Sequence, residues 1–266
     1  MDVRAGGFVG ILGPNGSGKT TLLRILAGTR RPASGHVTLD GTELSQLPRA
    51  ALARRMSVVP QETHLAFDFT AIEVVLMGRY PHLSAFEIEG PRDFAIARAA
   101  LAATGTSDLE DRRFETLSGG EKQRVVIAAA LAQITGSDHD FLIGDPSRPP
   151  IRQSRSDPGF LLLDEPTAAL DLAYQLEVAA LLRDLQRRTQ IAIVVSTHDL
   201  NFAAGLCETL VLLKNGRVLA AGPTNEVLTR ANIRALYGVD ADIQPHAAAG
   251  HLVVVPIGHV PPETRT

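Results

Sequence analysis

The sequence predicts an α/β fold in which helices flank a mostly parallel sheet. Short, continuous apolar runs recur along the 266-residue chain, and because they do not alternate with polar residues they are typical of strands buried on both faces. Helical stretches separate these runs, which is the order expected of parallel strands with helical crossovers. The segment Phe69–Leu117 instead has apolar residues at helical spacing, so we interpret it as an inserted helical subdomain.

The predicted elements follow in chain order. The predicted strands are Phe8–Leu12, Met56–Val59, Phe160–Leu163, Ile191–Val195, Leu210–Leu213 and Leu252–Val255. The predicted helices outside the inserted segment are Lys19–Gly28, Glu121–Gln133, Ala173–Arg188 and Asn201–Cys207. His36–Gly41 differs, because it alternates and ends in the turn dipeptide Asp40-Gly41, which predicts a small antiparallel piece.

These elements predict one domain over residues 1–266. We expect a core from residues 1–68 and 118–240, a helical subdomain at 69–117 and a C-terminal tail at 241–266. Residues 135–159 are rich in Gly, Ser, Asp, Pro and Arg, which predicts a surface-loop insertion that leaves the motifs around it intact. The length lies near the upper limit for a single hydrophobic core.

Composition narrows the classes of function. The formal net charge is −3, so no global basic field attracts nucleic acid, and none is expected as a partner. Cys207 is the only cysteine, which rules out an intramolecular disulfide. The first residues do not resemble a signal peptide, and no apolar run approaches the roughly 20 residues of a spanning helix. We therefore expect any membrane link to come through a partner.

A glycine-rich loop between the first strand and the first helix predicts a polyphosphate site. Small residues let successive N–H groups turn inward, and the next helix presents its positive amino end. The pattern predicts that Lys19 reaches the β- and γ-phosphates and that the Thr20 hydroxyl ligates Mg²⁺. A glycine-rich turn met by chance is the alternative. The loop residues are Gly13, Pro14, Asn15, Gly16, Ser17, Gly18, Lys19 and Thr20.

Two acids end the strand that begins at Phe160. At the carboxyl edge of a parallel sheet, Asp164 can hold Mg²⁺ opposite the phosphate loop. Glu165 points the other way and can polarise a water in line with the γ-phosphate. A solvated acidic strand end is the alternative, but the neighbouring phosphate loop favours a catalytic pair.

A second anion site is predicted where an alanine-rich helix begins. Ser118 is a natural N-cap, and Gly119 and Gly120 leave backbone N–H groups exposed at the helix start. Taken alone, this pattern also fits an ordinary capped helix.

Together with four further features, these motifs resemble the nucleotide-binding subunit of ATP-binding-cassette transporters. The resemblance runs from about Phe8 to Tyr237, and the Ser118 motif matches the signature specific to that family. It implies a P-loop NTPase fold of that type, with ATP and Mg²⁺ as ligands. The further features are Gln61 after a strand, Asp171 after the acidic pair, His198 after the next strand and Gly216 in a turn.

The resemblance also implies roles for these residues. Two subunits would dimerise head to tail, with each ATP held between the 13–20 loop of one and the Ser118 helix start of the other. Gln61 would contact Mg²⁺ and the attacking water, His198 the γ-phosphate, and Asp171 would bridge the subunits. Thr21 joins the predicted nucleotide-binding residues. The dimer would sit at the cytoplasmic face of the inner membrane, bound to permease subunits. An external binding protein would deliver the substrate to the permease.

Two further segments resemble the importers of iron–siderophores, haem and vitamin B12. They are residues 67–82, with Met77-Gly78-Arg79-Tyr80-Pro81-His82 at their end, and the tail from Leu236 to Asp240. The alternative is that these residues only pack the helical subdomain. The resemblance implies an ATPase subunit that powers uptake of a metal chelate or corrinoid.

One departure from the family concerns the amino end. Family members usually carry a longer segment before the loop, with antiparallel strands and an aromatic residue that stacks on adenine. Only Met1–Leu12 precede the loop here, so we expect a shortened antiparallel part and weakened ATP binding, with the natural start upstream. An ATP-binding regulatory module with weak hydrolysis is therefore an alternative function. Glu165 argues against it, because a non-hydrolysing member would be expected to lose that carboxylate.

Two other classes fit less well. A soluble family member acting in DNA repair or translation would usually carry a coiled-coil insertion or a second cassette, and neither is seen in this sequence. A small-molecule kinase would not need the Ser118 motif.

Overall fold

The computed structural model of the protein describes residues 1–136, 159–168 and 170–259; most of the predicted 135–159 loop, Ala169 and the last residues of the predicted tail lie outside the described residues. The strands are β1 Phe8–Leu12, β2 Thr38–Leu39, β3 Thr42–Glu43, β4 Met56–Val59, β5 Phe160–Asp164, β6 Ala192–Thr197, β7 Thr209–Lys214, β8 Arg217–Pro223, β9 Val239–His246 and β10 His251–His259. The helices are α1 Lys19–Leu26, α2 Arg49–Arg55, α3 Ala71–Met77, α4 Pro91–Ala103, α5 Gly119–Ile134, α6 Leu172–Arg188, α7 Leu200–Leu206, α8 Thr224–Val227 and α9 Arg230–Tyr237.

Six strands form the main sheet in the order β4-β5-β6-β1-β7-β8. All neighbours are parallel except β7 and β8, which pair as an antiparallel hairpin. Leu12 pairs with Thr197, and Asp164 pairs with Ser196. The carboxyl ends of β5, β6 and β1 therefore lie side by side, so the residues that follow these three strands meet at one edge. The predicted mostly parallel sheet is confirmed.

Apolar side chains cover both faces of this sheet. Val9, Leu162 and Val194 pack with Leu23 of α1 on one face. The larger core on the other face joins alternate residues of the same strands to helices that include α3, α4, α5 and α6. Burial of both faces explains why the strand sequences read as continuous apolar runs.

The antiparallel piece predicted at His36–Gly41 is the hairpin of β2 and β3. Its two turn residues, Asp40 and Gly41, have φ values of 50° and 81°. Positive φ at both central positions is the requirement of a type I′ turn, whose twist suits a two-residue hairpin.

The prediction for Leu252–Val255, a strand buried on both faces, is wrong. These residues belong to β10, which pairs antiparallel with β9 in a separate two-stranded sheet. Val254 is 2% exposed, whereas Val255 is 54% exposed. Successive side chains of a strand point to opposite faces, and only one face of this hairpin packs on the domain. A short apolar run does not distinguish this case from a central strand.

Two helices, α3 and α4, lie in the segment predicted to be helical, and both pack on α5. Thr70 caps α3, and its backbone N–H donates to the Glu73 carboxylate at 2.7 Å. Across the described ranges, no helix has the length and apolar character needed to cross a bilayer.

Candidate functional site

The loop after β1 has a backbone that a side chain at Gly13 would disrupt. A Cβ there would lie 2.3 Å from the carbonyl oxygen of Leu213 and 2.5 Å from Ser17 Oγ. Gly18, with φ of 104°, lies in the left-handed region immediately before α1. The β7–β8 turn contacts the loop, since the Gly216 N–H donates to Ser17 O at 2.9 Å.

The loop fits a polyphosphate. Ser17 is 2% exposed, and its Oγ has no hydrogen-bond partner among the described residues. An unpaired buried hydroxyl is costly, and a phosphate oxygen is a partner that would satisfy it. Asn15 and Gly16 at the tip are exposed, and the loop runs directly into the amino end of α1.

Lys19 brings a buried positive charge to the inner side of the loop. The residue is 5% exposed, and its Nζ donates to Gly13 O at 2.8 Å and to Pro14 O at 3.3 Å. The same Nζ lies 3.0 Å from Glu165 Oε1. The loop and the acidic end of β5 are therefore in direct contact.

Asp164 is held in place by the neighbouring strand. It is 8% exposed, and the Ser196 Oγ donates to Asp164 Oδ1 at 2.6 Å. Thr20 is half-buried in the first turn of α1. Mg²⁺ at nucleotide sites commonly takes one or two protein oxygens and completes its shell with phosphates and water. Asp164 and Thr20 supply oxygens of that kind.

Glu165 adopts an unusual backbone conformation with φ of 46°. Its N–H donates to Ser196 O at 3.0 Å, which holds this turn against β6. Left-handed backbone at a residue other than glycine is costly and concentrates at functional sites. The turn directs the Glu165 carboxylate toward Lys19 and His198.

His198 lies on the other side of the Glu165 carboxylate. Its Nδ1 is 3.1 Å from Glu165 Oε2, so Nδ1–H donates and Nε2 is left facing away from the carboxylate. The Tyr237 hydroxyl donates to His198 O at 3.5 Å. Burial, reinforced by the nearby Glu165 and Asp199 carboxylates, raises the pKa of Tyr237 to about 12, so this hydroxyl keeps its proton at neutral pH.

The start of α5 forms a second group of predicted residues. Ser118 Oγ accepts from Glu121 N at 3.3 Å, and Ser118 N donates to Glu121 Oε2 at 2.7 Å, which together make a capping box. Hydrogen bonds from Ser118 hold the pKa of Glu121 below its usual value. The Ser118 cap is therefore as predicted.

The two glycines after Ser118 differ in exposure. Gly119 is exposed as expected, but Gly120 is buried, and a Cβ there would lie 2.3 Å from the Tyr174 ring. Gly120 is therefore covered by Tyr174 of α6, which differs from the exposed helix start that the sequence predicts. Asp171 caps α6 by accepting from Tyr174 N at 3.1 Å, so the starts of α5 and α6 form one surface.

The structure thus brings most of the predicted residues into two groups. Gly13, Ser17, Lys19, Asp164, Glu165 and His198 form the first group; Ser118, Gly119, Gly120 and Asp171 form the second. Within the described ranges, no hydrogen bond or ion pair joins one group to the other. Gln61 is exposed and follows β4, the strand beside β5, so it leaves the sheet at the same edge as Glu165.

The contacts of two residues, Ser196 and Tyr237, were not predicted from the sequence. Ser196 lies in the segment Ser196-Thr197-His198-Asp199, of which only His198 was singled out in the sequence, and its bond to Asp164 depends on strand register. Tyr237 appears only in the tail segment, and its bond to His198 spans 39 positions. A serine at the end of an apolar run is a local signal for the contact of Ser196, whereas no local pattern indicates the contact of Tyr237.

Comparisons with known proteins identify the family of the chain. The family model described as ABC transporter matches residues 1–137. A hemin import ATP-binding protein of Gloeobacter violaceus is 42% identical over 97% of this chain and 87% of its own length. A cobalamin import ATP-binding protein of Halobacterium salinarum is 38% identical over 96% of this chain, which spans 58% of that relative.

Solved structures show the same fold. A metal-chelate type ABC transporter in an inward-facing conformation aligns with a TM-score of 0.77 and 29% identity, covering 97% of this chain and 90% of the other. A bacterial ABC transporter cassette solved as a dimer aligns with a TM-score of 0.65 and 28% identity, covering 84% and 88%. With these matches over nearly its whole length, the chain belongs to the ATP-binding proteins of the ABC transporter family.

Proposed function

We propose that the protein is the ATP-hydrolysing subunit of an importer that takes up a metal chelate or corrinoid, such as an iron–siderophore, haem or vitamin B12. The observation that carries this proposal is the contact of Lys19, Glu165 and His198 at the carboxyl edge of the parallel sheet. Relatives named for hemin and cobalamin import support the substrate class.

The nucleotide binds at the loop of residues 13–20 and at Thr21. Inward backbone N–H groups and the amino end of α1 hold the phosphates, and Lys19 supplies the compensating charge. Thr20 and Asp164 hold the metal, and Gln61 joins them from the end of β4. Mg²⁺ supplies neutralisation of the charge on the β- and γ-phosphates.

Glu165 acts as the base for the attacking water. Its carboxylate is 11% exposed, and His198 Nδ1–H donates to Oε2, which orients the group. An ATP-binding regulatory module with weak hydrolysis remains the second candidate. The bond between Glu165 and His198 favours the hydrolytic function, because a chain that only binds ATP has no need for an oriented carboxylate.

The active unit is a head-to-tail homodimer. The separation of the two groups within one chain supports this arrangement, because the exposed start of α5 can complete the site of a second copy. Asp171, at the same surface, bridges the subunits. Replacing Ser118 with arginine is expected to abolish ATP-dependent dimers, measured by sedimentation, while lowering the thermal midpoint of the monomer only by the few degrees expected from loss of the Ser118 cap. ATP-dependent dimers of Ser118→Arg at wild-type affinity would refute the shared site.

The dimer works as a peripheral complex on integral permease subunits at the cytoplasmic face of the cell membrane. An external binding protein delivers the chelate to the permease. The helical segment that contains α3 and α4, together with the Gln61 loop, contacts the permease. No nucleic acid takes part.

Uptake into proteoliposomes tests the whole proposal. The chain is reconstituted with its permease and binding protein, which are to be sought among the neighbouring genes, and uptake of radiolabelled haem, cobalamin and ferric siderophore is measured with and without MgATP. ATP-dependent uptake of one of them is expected, and Glu165→Gln complexes should show none. Vigorous ATP hydrolysis without uptake of any of the three would exclude the proposed substrate class.

A further inference from the structure

The carboxyl end of α5 is held by a buried arginine that precedes a short turn, Tyr80–His82. Arg79 is 1% exposed, and its Nη1 donates to Ala132 O at 2.6 Å and to Thr135 O at 2.7 Å. Its Nε donates to Asp93 Oδ1 at 3.0 Å. One guanidinium therefore binds two carbonyls at the end of α5 and a carboxylate in the first turn of α4.

These contacts satisfy groups that a helix leaves unpaired. The last carbonyls of a helix lack intrahelical partners, and a cation at that end also interacts favourably with the helix dipole. His82 serves a third carbonyl, since its Nε2 lies 2.8 Å from Gln133 O. Burial lowers the pKa of Arg79, and the hydrogen bond with Asp93 opposes this effect.

The same end of α5 is also tied to the sheet domain. Gln133 Nε2 donates to Ala53 O at 2.8 Å and to Met56 O at 3.0 Å, at the junction of α2 and β4. A second contact joins α2 to the Tyr80–His82 turn, because Arg54 Nε donates to Pro81 O at 2.7 Å. Strand β4 leads directly to Gln61. We call this set of contacts, made by Arg54, Pro81 and Gln133, the junction. It joins the helical segment and α5 to the strand that precedes the Gln61 loop.

The junction is closely packed. A Cβ at Gly78 would lie 2.2 Å from Ala129 O, so the end of α3 rests on the backbone of α5. The opposite end of α5 begins at the Ser118 cap, 16 residues away. At 1.5 Å per residue the helix is about 24 Å long, so a tilt of about 5° at the junction displaces Ser118 by about 2 Å.

We propose that Arg79 is a positioning residue for Ser118: by fixing the carboxyl end of α5 to α4, at the junction that Gln133 ties to α2 and β4, it sets where the amino end meets the nucleotide of the second copy. The inference rests on the proposed function, in which Ser118 completes the partner's site. A displacement of about 1 Å at such a site can lower activity by up to about 100-fold. Loss of the Arg79 contacts would therefore lower activity by displacing Ser118 at the opposite end of the helix.

The test separates positioning from simple support of the fold. In a Glu165→Gln background, ATP-driven dimerisation is followed by sedimentation, and ATP binding to the monomer by fluorescence titration. Arg79→Met is expected to raise the protein concentration for half-dimerisation by about tenfold while changing ATP affinity by less than about twofold. Arg79→Lys, which keeps the cation, should recover part of the loss.

A matched control is available on α4. Arg98 is 60% exposed and pairs with Glu110 at 2.8 Å, so Arg98→Met removes an arginine and an ion pair from the same segment at the surface. It is expected to change neither measurement. Gln133→Met cuts the tie to α2 and β4 without removing the buried charge. It should raise the protein concentration for half-dimerisation about threefold. If Arg79→Met does not fold, dimerisation of Gln133→Met tests the proposal instead.

Equal dimerisation of Arg79→Met and Arg98→Met would overturn the proposal, as would equal losses of ATP affinity and dimerisation in Arg79→Met. If Arg79→Met does not fold, unchanged dimerisation of Gln133→Met would overturn it too. If the Glu165→Gln parent itself does not dimerise with ATP, the head-to-tail site is refuted and the role of Arg79 falls with it. The parent result therefore distinguishes failure of the proposed function from failure of this inference.

Discussion

Replacing Ser196 with alanine removes the hydroxyl that holds Asp164 at 2.6 Å inside the domain. Ser196 is fully buried, and Asp164 is 8% exposed, so water cannot readily replace the lost donor. A hydrogen bond to a charged group is worth about 1.5–3 kcal/mol. The second bond of the hydroxyl, from Glu165 N at 3.2 Å, is duplicated by the backbone carbonyl of Ser196, so its loss adds little.

We expect Ser196→Ala to lower the free energy of unfolding by about 2 kcal/mol, measured by urea denaturation with an unchanged m-value. The control is Ser57→Ala. Ser57 is 1% exposed on β4 of the same sheet, but its Oγ has no hydrogen-bond partner among the described residues. Removing an unpaired buried hydroxyl should change the stability by less than about 0.5 kcal/mol or increase it.

The same pair of variants tests the metal site. Residues that orient a metal ligand typically contribute about 10- to 100-fold in metal affinity or activity. Ser196→Ala should therefore raise the Mg²⁺ concentration for half-maximal ATP hydrolysis by about that factor, and Ser57→Ala should leave it unchanged. Equal stability losses in the two variants, or an unchanged Mg²⁺ dependence in Ser196→Ala, would show that the bond to Asp164 has no role in the site.

Three further predictions follow from the site. Glu165→Gln should lower kcat for ATP hydrolysis by about 100-fold or more while ATP binding measured by calorimetry stays intact; wild-type turnover would remove Glu165 from the role of base. Gly120→Ala places a methyl group 2.3 Å from the Tyr174 ring and should destabilise the fold by about 1–3 kcal/mol, with Tyr174→Ala restoring part of the loss in thermal melts. Because the pKa of Tyr237 is raised to about 12 in the folded state, its contribution to stability is complete below about pH 10 and is lost as pH rises toward 12; Tyr237→Phe should flatten this part of the stability profile in pH-dependent urea titrations.

The catalytic edge shows how far local patterns reach. The glycine loop, Lys19 and the acids at the end of β5 were predicted because each motif combines a strand end with a specific residue type. Their contact follows from parallel strand order, which places the carboxyl ends of neighbouring strands together. The bond between Glu165 and His198, across 33 positions, confirms that these strand ends meet.

Other assignments required the packed structure. Leu252–Val255 has the same apolar character as the central strands, yet it lies in a peripheral hairpin because its pairing partner is β9. Gly120 reads as an exposed helix start, yet α6 covers it. The segment around Arg79 was interpreted as a sign of the importer branch or as packing alone; the similarity to hemin and cobalamin import proteins supports the first interpretation, and the structure shows that the segment also packs at the end of α5.

The amino-acid sequence by itself determined the strand–helix order, the phosphate loop and the cap at Ser118, since these depend on residues within one or two turns of chain. Only the tertiary structure decided which hydroxyl donates to Asp164, which phenol donates to His198 and which cation binds the carbonyls at the carboxyl end of α5. Those partners lie 32, 39 and 53 to 56 positions apart, and their meeting depends on strand register and helix packing summed over the whole core. Such long-range pairings leave no periodic signal in the chain, which is why the anchor of α5 became visible only in the folded protein.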